Sequence, residues 1–143
     1  MNKKKLKYRV TYLEMNSNPN FDWPKNLKHK LSISLAKSFP AWYFLFFFKQ
    51  VGENYYWTDW LKKTDDEINE FVENKNVLLY TLMKDGWPVG FYMLDYRKKD
   101  ICDLSFFGLV DEVIGIGLGK YLLQTAILTA WDSKKIKKLT VNT

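Results

Sequence analysis

The sequence predicts a single α+β domain in which a mixed, mostly antiparallel sheet is flanked by helices. The chain has 143 residues, which is the size of one domain. Hydrophobic residues make up 47% of it, which is too many for a disordered chain. Two β-rich segments, 77–84 and 89–96, flank an Asp85-Gly86 hairpin turn, and helical patterns lie on both sides of this pair along the chain. No internal repeat or linker divides the sequence, so residues 1–143 form one domain.

The N-terminal part predicts one strand and two helices. Residues 8–15 alternate and are rich in β-formers, which is typical of a strand. Residues 25–38 are helical by composition. Pro40 then begins a second helix over residues 41–50, because proline fits the first turn of a helix. Gly52 ends this helix.

The remaining elements follow from capping, turn and hydrophobic patterns. Thr64 and Glu67 form a capping-box pattern that opens a short helix. The predicted elements are a helix over 64–73, three antiparallel strands over 77–84, 89–96 and 101–110, a helix over 117–132 and a last strand over 136–142.

Three glycines at alternate positions, Gly115, Gly117 and Gly119, open the helix that follows the third of these strands. Each glycine costs about 1 kcal/mol relative to alanine inside a helix, so this cluster needs a reason. A backbone without Cβ atoms can approach a ligand closely, and its free N–H groups together with the helix dipole form an anion site. We therefore predict a phosphate cradle. The alternative is a glycine-rich turn that joins strand and helix.

Two common phosphate motifs do not fit this segment. A dinucleotide fingerprint needs a glycine at the sixth position, which holds Lys120 when counted from Gly115. A P-loop needs a glycine where Ile114 stands and a serine or threonine where Tyr121 stands. The segment instead resembles the acetyl-CoA pyrophosphate loop of the GNAT N-acetyltransferases. That family's pattern is Gln or Arg, two residues, Gly, any residue, and Gly or Ala, and it aligns on residues 114–119 with isoleucine in the first place.

The resemblance extends over essentially the whole chain. The order of elements is the GNAT order, and segments 10–15, 51–53, 106–109 and 130–131 look like a bacterial GNAT subgroup of unknown substrate. Family members usually continue past the strand at 139–142 with a further helix and two strands. The resemblance therefore implies a GNAT-like fold whose C-terminal part is missing.

The resemblance implies acetyl-CoA as cosubstrate and direct transfer of the acetyl group to a primary amine. The strand before the glycine loop would pair with the pantetheine arm, and one of its amides would polarise the thioester carbonyl. A phosphate at the loop would also make the cation of Lys120 favourable at a helix start. The expected CoA-binding residues are Phe107, Gly108, Leu109, Val110, Ile114, Gly115, Ile116, Gly117, Leu118, Gly119 and Lys120.

Asp103 is the expected general base, because it lies on the strand before the loop, where the family often has a glutamate. Alternation along a strand puts Asp103, Ser105 and Phe107 on one face. The alternative is that Asp103 is only a polar residue at the start of a strand. Glu112 is a second candidate, nearer the loop. Asn142 on the last strand would contact the acetyl group or the substrate, or be a plain strand-end asparagine.

Aromatic residues are concentrated between positions 39 and 60. Apolar residues occupy all sides of the first group, 39–48, which favours a buried helix over a membrane-surface belt. Tyr55, Tyr56 and Trp57 follow a loop signal. In the family this region overhangs the acceptor site, so we expect these residues to line a pocket for an apolar or cationic amine.

Charge and composition narrow the functional classes. The net charge is +6, and its lysine runs favour a solvated face over a nucleic-acid patch. Cys102 is the single cysteine, which excludes an internal disulfide and suits the cytoplasm. The sequence has no metal-ligand spacing and no membrane-spanning run. We expect a cytoplasmic enzyme that acts on a small-molecule or protein amine. The alternative is a non-catalytic CoA-binding or regulatory domain on the same fold.

The position of the last strand leads to two further expectations. The family's C-terminal segment often carries a tyrosine that protonates the leaving thiolate, so we expect slow turnover unless a local tyrosine or water replaces it. The last strand would also present an uncovered apolar edge, which invites pairing with another chain. A two-fold homodimer is therefore expected.

Overall fold

The computed structural model describes residues 7, 9–26, 28–55 and 57–143, and it confirms the predicted α+β class. In the described residues one six-stranded sheet has the order β1-β6-β5-β4-β3-β2, and only the β5–β6 pair is parallel. The elements are β1 (Tyr12–Met15), β2 (Leu31–Ala36), α1 (Ala41–Gly52), α2 (Asp65–Glu73), β3 (Val77–Lys84), β4 (Trp87–Asp95), β5 (Ile101–Leu109), α3 (Leu118–Ser133) and β6 (Lys138–Asn142).

The helix expected over residues 25–38 is wrong, because β2 occupies its second half as an edge strand paired with β3. Leu31 and Ile33 are half-buried, whereas Ser32 and Ser34 between them are exposed. That is the two-residue period of a half-buried strand, and pairing with β3 outweighs the helical composition of the segment.

Helices cover both faces of the sheet. Alternation along β4 sends Phe91 to one face, where its ring stacks on Phe47 of α1 with centroids 4.8 Å apart. The next residue, Tyr92, lies on the other face, where its hydroxyl is 3.0 Å from Thr129 Oγ1 of α3. The sheet is therefore the middle of three layers.

The composition of α1 predicted a helix that is buried on all sides, but one side of it is exposed. Phe44, Phe47 and Phe48 are fully buried, but Trp42 is 68% exposed and Phe46 is 38% exposed. The helix lies on one face of the sheet, so its outer side faces solvent even though the residues there are aromatic. In the part of the chain that the structure describes, no helix is both long and apolar enough to cross a bilayer.

Strands β5 and β6 pair over only four residues. Their parallel register runs from Ile101 opposite Lys138 to Leu104 opposite Val141. Strand β5 then continues to Leu109 beside β4 alone. Strand β6 ends at Asn142, so in the described residues the β6-facing edge of β5 has no strand partner beyond Leu104. We call β1 with β6 and β5 with β4, β3 and β2 the two arms of the sheet, and the point where their pairing ends the vertex.

The outer edge of β6 is covered, contrary to expectation. Strand β1 pairs with it along its length, from Tyr12 opposite Asn142 to Met15 opposite Leu139. Thr11 and Thr143 exchange backbone hydrogen bonds of 2.7 and 2.8 Å just beyond this ladder. The homodimer stays a prediction, but the uncovered edge that suggested it is wrong.

Leu13→Pro should detach β1, whereas Tyr12→Pro should be tolerated better. Because residues 11 and 143 form a hydrogen-bonded pair, alternation gives Leu13 the next ladder bond and turns the N–H of Tyr12 outward. We expect Leu13→Pro to lower the free energy of unfolding by about 1–3 kcal/mol more than Tyr12→Pro. Urea unfolding measures this difference. Sedimentation velocity should show self-association in the Leu13 variant, and equal behaviour of the two variants would contradict the observed pairing.

Candidate active site

The open edge of β5 presents the backbone groups of alternate residues. The N–H of Val110 donates to the carbonyl of Val89 at 2.8 Å, and the carbonyl of Val110 accepts from Val113 N–H at 3.2 Å. By the alternation of an antiparallel pair, Gly108 also bonds to β4. Phe107 and Leu109 therefore direct their N–H and C=O groups towards the open edge. Val110 differs from the sequence-based expectation, because its own backbone groups are already used.

Gly108 allows α1 to approach β5 closely. A Cβ atom at this position would overlap Cγ1 of Val51, which is fully buried near the end of α1. Helix α1 therefore ends directly above the open part of β5. The requirement for glycine at position 108 is one of helix packing, in addition to any contact with a ligand.

The glycine loop adopts the left-handed conformation at two positions. Gly115 has φ +91° and Gly117 has φ +87°, and a Cβ at either place would have nothing within 4 Å. Conformation rather than crowding selects these two glycines. Gly119 differs, because a Cβ there would lie 3.9 Å from Cδ1 of Leu109, an ordinary contact. The left-handed conformation of the loop explains Gly115 and Gly117. Gly119 leaves the first turn of α3 uncovered by a side chain.

The start of α3 has the character of an anion site. Gly117 is its N-cap and provides no side-chain cap, and the first turn holds no acidic residue. The amide N–H groups there thus keep the partial positive charge of a helix N-terminus. Lys120 is exposed in this turn and adds a full positive charge, whereas Leu118 is fully buried and anchors the helix. Ile114 and Ile116, 50% and 45% exposed, flank the glycines with apolar surface.

Asp103 lies on β5 where the two arms of the sheet divide. Its Oδ1 accepts a hydrogen bond of 2.6 Å from Thr140 Oγ1, and its Oδ2 accepts one of 2.9 Å from Ser105 Oγ. The carboxylate is half-buried and faces the side of the sheet on which α1 and α2 pack, since Asp103 pairs with Asp95 of β4.

Phe107 does not share the face of Asp103, contrary to the simple alternation. The β4–β5 register shifts between Met93 and Leu94, which makes Ser105 an extra residue in β5. As a result Phe106 points to α1, where its ring centroid is 5.2 Å from that of Phe44. Phe107, opposite Tyr92, points to α3.

Glu112 lies far from Asp103. It is exposed in a short 3-10 turn, Asp111–Val113, between the end of β5 and the glycine loop. Six residues of extended strand, about 20 Å, separate Asp103 from Leu109, and Glu112 lies beyond this point. The structure therefore places only Asp103 at the vertex of the two arms.

A cleft of about 300 Å³ lies at the end of α1, lined by Lys49, Glu53, Trp57, Thr58 and Leu61. The ring of Trp57 separates this cleft from β5, because its centroid is 5.7 Å from that of Phe106. Tyr55 is 56% exposed with its ring 6.2 Å from Trp57, and Tyr56 lies outside the described residues. The cleft has an aromatic wall and one group of each charge.

Asn142 ends β6 on the same face as Thr140, because alternate residues of a strand share a face. Its side chain is exposed and lies opposite Tyr12 of β1. It is thus near the vertex and available to a bound molecule, and no hydrogen bond within the described residues holds its side chain.

Sequence reasoning did not find Thr140, Lys49 or Glu53. Alternation on the last strand predicts that Thr140 and Asn142 share a face. It does not predict that Thr140 lies opposite Asp103, because that register comes from the pairing of β5 with β6. The side chains of Lys49 and Glu53 line a cleft only because the chain after α1 folds back and brings Trp57 close to them. The backbone N–H of Trp57 donates to the carbonyl of Gly52 at 3.0 Å.

The buried thiol and phenol groups near the vertex are unsuited to proton transfer. Burial raises the pKa of Cys102 to about 12, so its thiol stays protonated at neutral pH. Burial also raises the pKa of Tyr92 and Tyr96 above the ordinary phenol value. The Tyr96 hydroxyl donates to the carbonyl of Ala130 at 2.9 Å. These groups support the packing of α3 rather than proton transfer.

Comparison with known proteins identifies the fold. No protein-family profile and no curated protein matches the sequence. A GCN5-related N-acetyltransferase from Kribbella flavida matches 94% of this chain with a TM-score of 0.63 and 12% identity, and the chain spans 50% of that protein. An aminoglycoside acetyltransferase from an uncultured soil metagenomic sample, in complex with sisomicin, matches over 78% of this chain and 76% of its own, with a TM-score of 0.60 and 14% identity.

A third solved structure contains acetyl-CoA, the ligand that the resemblance of the glycine loop implies. It is a GNAT family acetyltransferase from Elizabethkingia anophelis with acetyl-CoA bound. It matches 71% of this chain and 58% of its own at a TM-score of 0.52 and 16% identity. The chain has the GNAT fold, and it spans about half the length of the Kribbella flavida protein.

Gly117→Asp should weaken CoA binding, because it adds a carboxylate at the helix start where a phosphate is expected. We expect the affinity for CoA to fall at least tenfold, which is about 1.4 kcal/mol. Isothermal titration calorimetry measures this change.

Gly86→Asp is the matched control for this variant. Gly86 has φ +90° in a hairpin turn, also with open space around its Cβ position, so the backbone strain is similar. Asp85 and Asp100 already adopt left-handed conformations, with φ of +53° and +61°. Unchanged CoA affinity in a folded Gly117→Asp protein would remove the cradle hypothesis.

Proposed function

We propose that the protein is a cytoplasmic N-acetyltransferase that moves the acetyl group of acetyl-CoA to a primary amine by direct transfer. The observation that carries this proposal is the open backbone edge of β5, which runs from the vertex at Asp103 to the glycine loop at α3. One continuous surface thus offers backbone hydrogen bonds along its length and an anion site at its end.

The described residues fit acetyl-CoA at both ends. The uncapped amides at the start of α3 and the cation of Lys120 suit the pyrophosphate. The outward N–H and C=O groups of Phe107 and Leu109 suit the amide groups of the pantetheine arm, and one of these N–H groups can donate to the thioester carbonyl. Acetyl-CoA supplies the activated acetyl group, and the residues named here hold and orient it.

The acceptor would approach from the α1 side of the vertex. The cleft beside Trp57 offers an aromatic surface and the carboxylate of Glu53, which together suit a cationic or apolar amine. We assign to Asp103 the proton that the amine loses. Because the side chain of aspartate is short, a water molecule can mediate this transfer. The acceptor can be a small molecule or a protein amine.

Direct transfer is supported by the state of the single cysteine. A covalent route would need an activated nucleophile, and the buried thiol of Cys102 is protonated. The buried phenols of Tyr92 and Tyr96 are equally unsuited to protonate a leaving thiolate, since both carry raised pKa values and bond within the α3 layer. We therefore propose that water or an exposed tyrosine supplies that proton and that turnover is slow.

Two measurements test the function. Thermal unfolding with and without acetyl-CoA tests binding, and release of free thiol from acetyl-CoA with a panel of amines tests turnover. The panel should contain polyamines, amino acids, peptides with free α-amines, and aminoglycosides. Stabilisation together with amine-dependent thiol release supports the enzyme. Stabilisation without turnover supports the non-catalytic CoA-binding domain, and the absence of both contradicts either function.

Asp103→Asn should lower kcat by about a hundredfold while leaving the affinity for CoA nearly unchanged, because it removes the proton acceptor but keeps the size of the side chain. Asp100→Asn is a suitable control. Asp100 is a half-buried aspartate just before β5, 3.7 Å from the ammonium of Lys137, and it lies outside the site. Steady-state kinetics near neutral pH measures both variants. Wild-type turnover in Asp103→Asn would pass the role to Glu112, to water or to the free amine itself.

A further inference from the structure

Both oxygens of the Asp103 carboxylate are held by hydroxyl groups. Thr140 Oγ1 donates to Oδ1 at 2.6 Å, and Ser105 Oγ donates to Oδ2 at 2.9 Å. A hydroxyl carries a single proton, so each of these side chains uses its only donor on Asp103. Both oxygens of the carboxylate therefore act as acceptors, each towards a different hydroxyl group.

The two hydroxyls come from different arms of the sheet. Thr140 lies on β6 directly opposite Asp103, one pair before the strands part. Ser105 is the extra residue that β5 carries where its register with β4 shifts. A bulge of this kind re-aims side chains. The carboxylate is therefore fixed with respect to both arms at the point where they divide.

The neighbouring cation, Arg97, does not replace these contacts. Arg97 lies close enough to Asp103 and Glu70 for their charges to act on it. Its guanidinium is bound to Asp95, with Nη2 2.7 Å from Oδ2 and Nε 3.0 Å from both oxygens. No ion pair with Asp103 is found in the described part of the chain, so hydroxyl groups alone orient this carboxylate.

We infer that Thr140 and Ser105 are positioning residues that hold the Asp103 carboxylate aimed at the vertex of the two arms. This inference rests on the proposed function and adds two residues to it. Each carboxylate oxygen accepts one hydroxyl bond and keeps a second lone pair for an N–H group of the acceptor. A base held in this way has a defined direction, and misplacement by about 1 Å can cost up to a hundredfold in rate.

The test compares Thr140→Val with Thr140→Ser. Valine keeps the shape and removes the hydroxyl, whereas serine keeps the hydroxyl. With acetyl-CoA and the amine of the panel that gives the highest turnover, we expect Thr140→Val to lower kcat about tenfold with the KM for acetyl-CoA unchanged. Thr140→Ser should restore most of the rate. Ser105→Ala is the second variant and should lower kcat in the same direction.

Thr81→Val is the matched control. Thr81 also makes a 2.6 Å hydroxyl bond, to Tyr43 of α1, but it lies on β3, away from the vertex. This variant should change the free energy of unfolding without changing kcat. If Thr140→Val acts only through stability, the two variants will show the same kinetics.

A double-mutant cycle separates positioning from an independent effect. In the Asp103→Asn background, Thr140→Val should cause no further loss of kcat, because the group that it orients is gone. An equal loss in both backgrounds, or wild-type kcat in Thr140→Val, overturns the inference while leaving the acetyltransferase function intact. A wild-type protein that neither gains thermal stability from acetyl-CoA nor releases thiol overturns the function, and the positioning role with it.

Discussion

The unequal pairing of β5 is the constraint on which the rest of the structure depends. One edge of this strand pairs with β4 from Asp103 to Leu109, and the other edge pairs with β6 for only four residues. Unpaired backbone groups in a sheet must find water, a ligand or another strand. Beyond Leu104 the outward backbone groups of β5 have no strand partner in the described residues, and this candidate docking edge leads towards the start of α3.

Two sets of contacts keep β5 in place despite its missing neighbour. On one face, Phe106 lies at the centre of an aromatic cluster that joins α1, α2 and the chain between them, with partners Phe44, Phe48, Trp57, Trp60, Phe71 and Phe91. On the other face, α3 packs against β4 and β5, and its buried residues include Leu118, Leu122 and Ala126. Strand β1 keeps β6 in place in a similar way. It pairs with one edge of β6, whose other edge pairs with β5 over only four residues.

The same constraint explains why the candidate catalytic group and the candidate cradle occupy opposite ends of β5. Asp103 lies at the last paired residues, where side chains of both arms can reach it, and Thr140 does so. The glycine loop follows the end of the strand, where the chain must reverse direction into α3, and two left-handed glycines make that reversal. The length of the open edge thus sets the span that a bound molecule must cover.

The sequence by itself determined the local elements and the class of fold. The Thr64 capping box, the Asp85-Gly86 hairpin and the glycine-rich helix start were predicted correctly, because each depends on short-range chemistry. Tertiary structure decided the rest. Pairing with β3 made a strand of residues 31–36, the extra residue at Ser105 turned Phe107 away from Asp103, and β1 covered the edge of β6. The last two outcomes, and the choice of β3 as the partner of residues 31–36, depend on registers between segments far apart in the chain, which no local pattern of residues encodes.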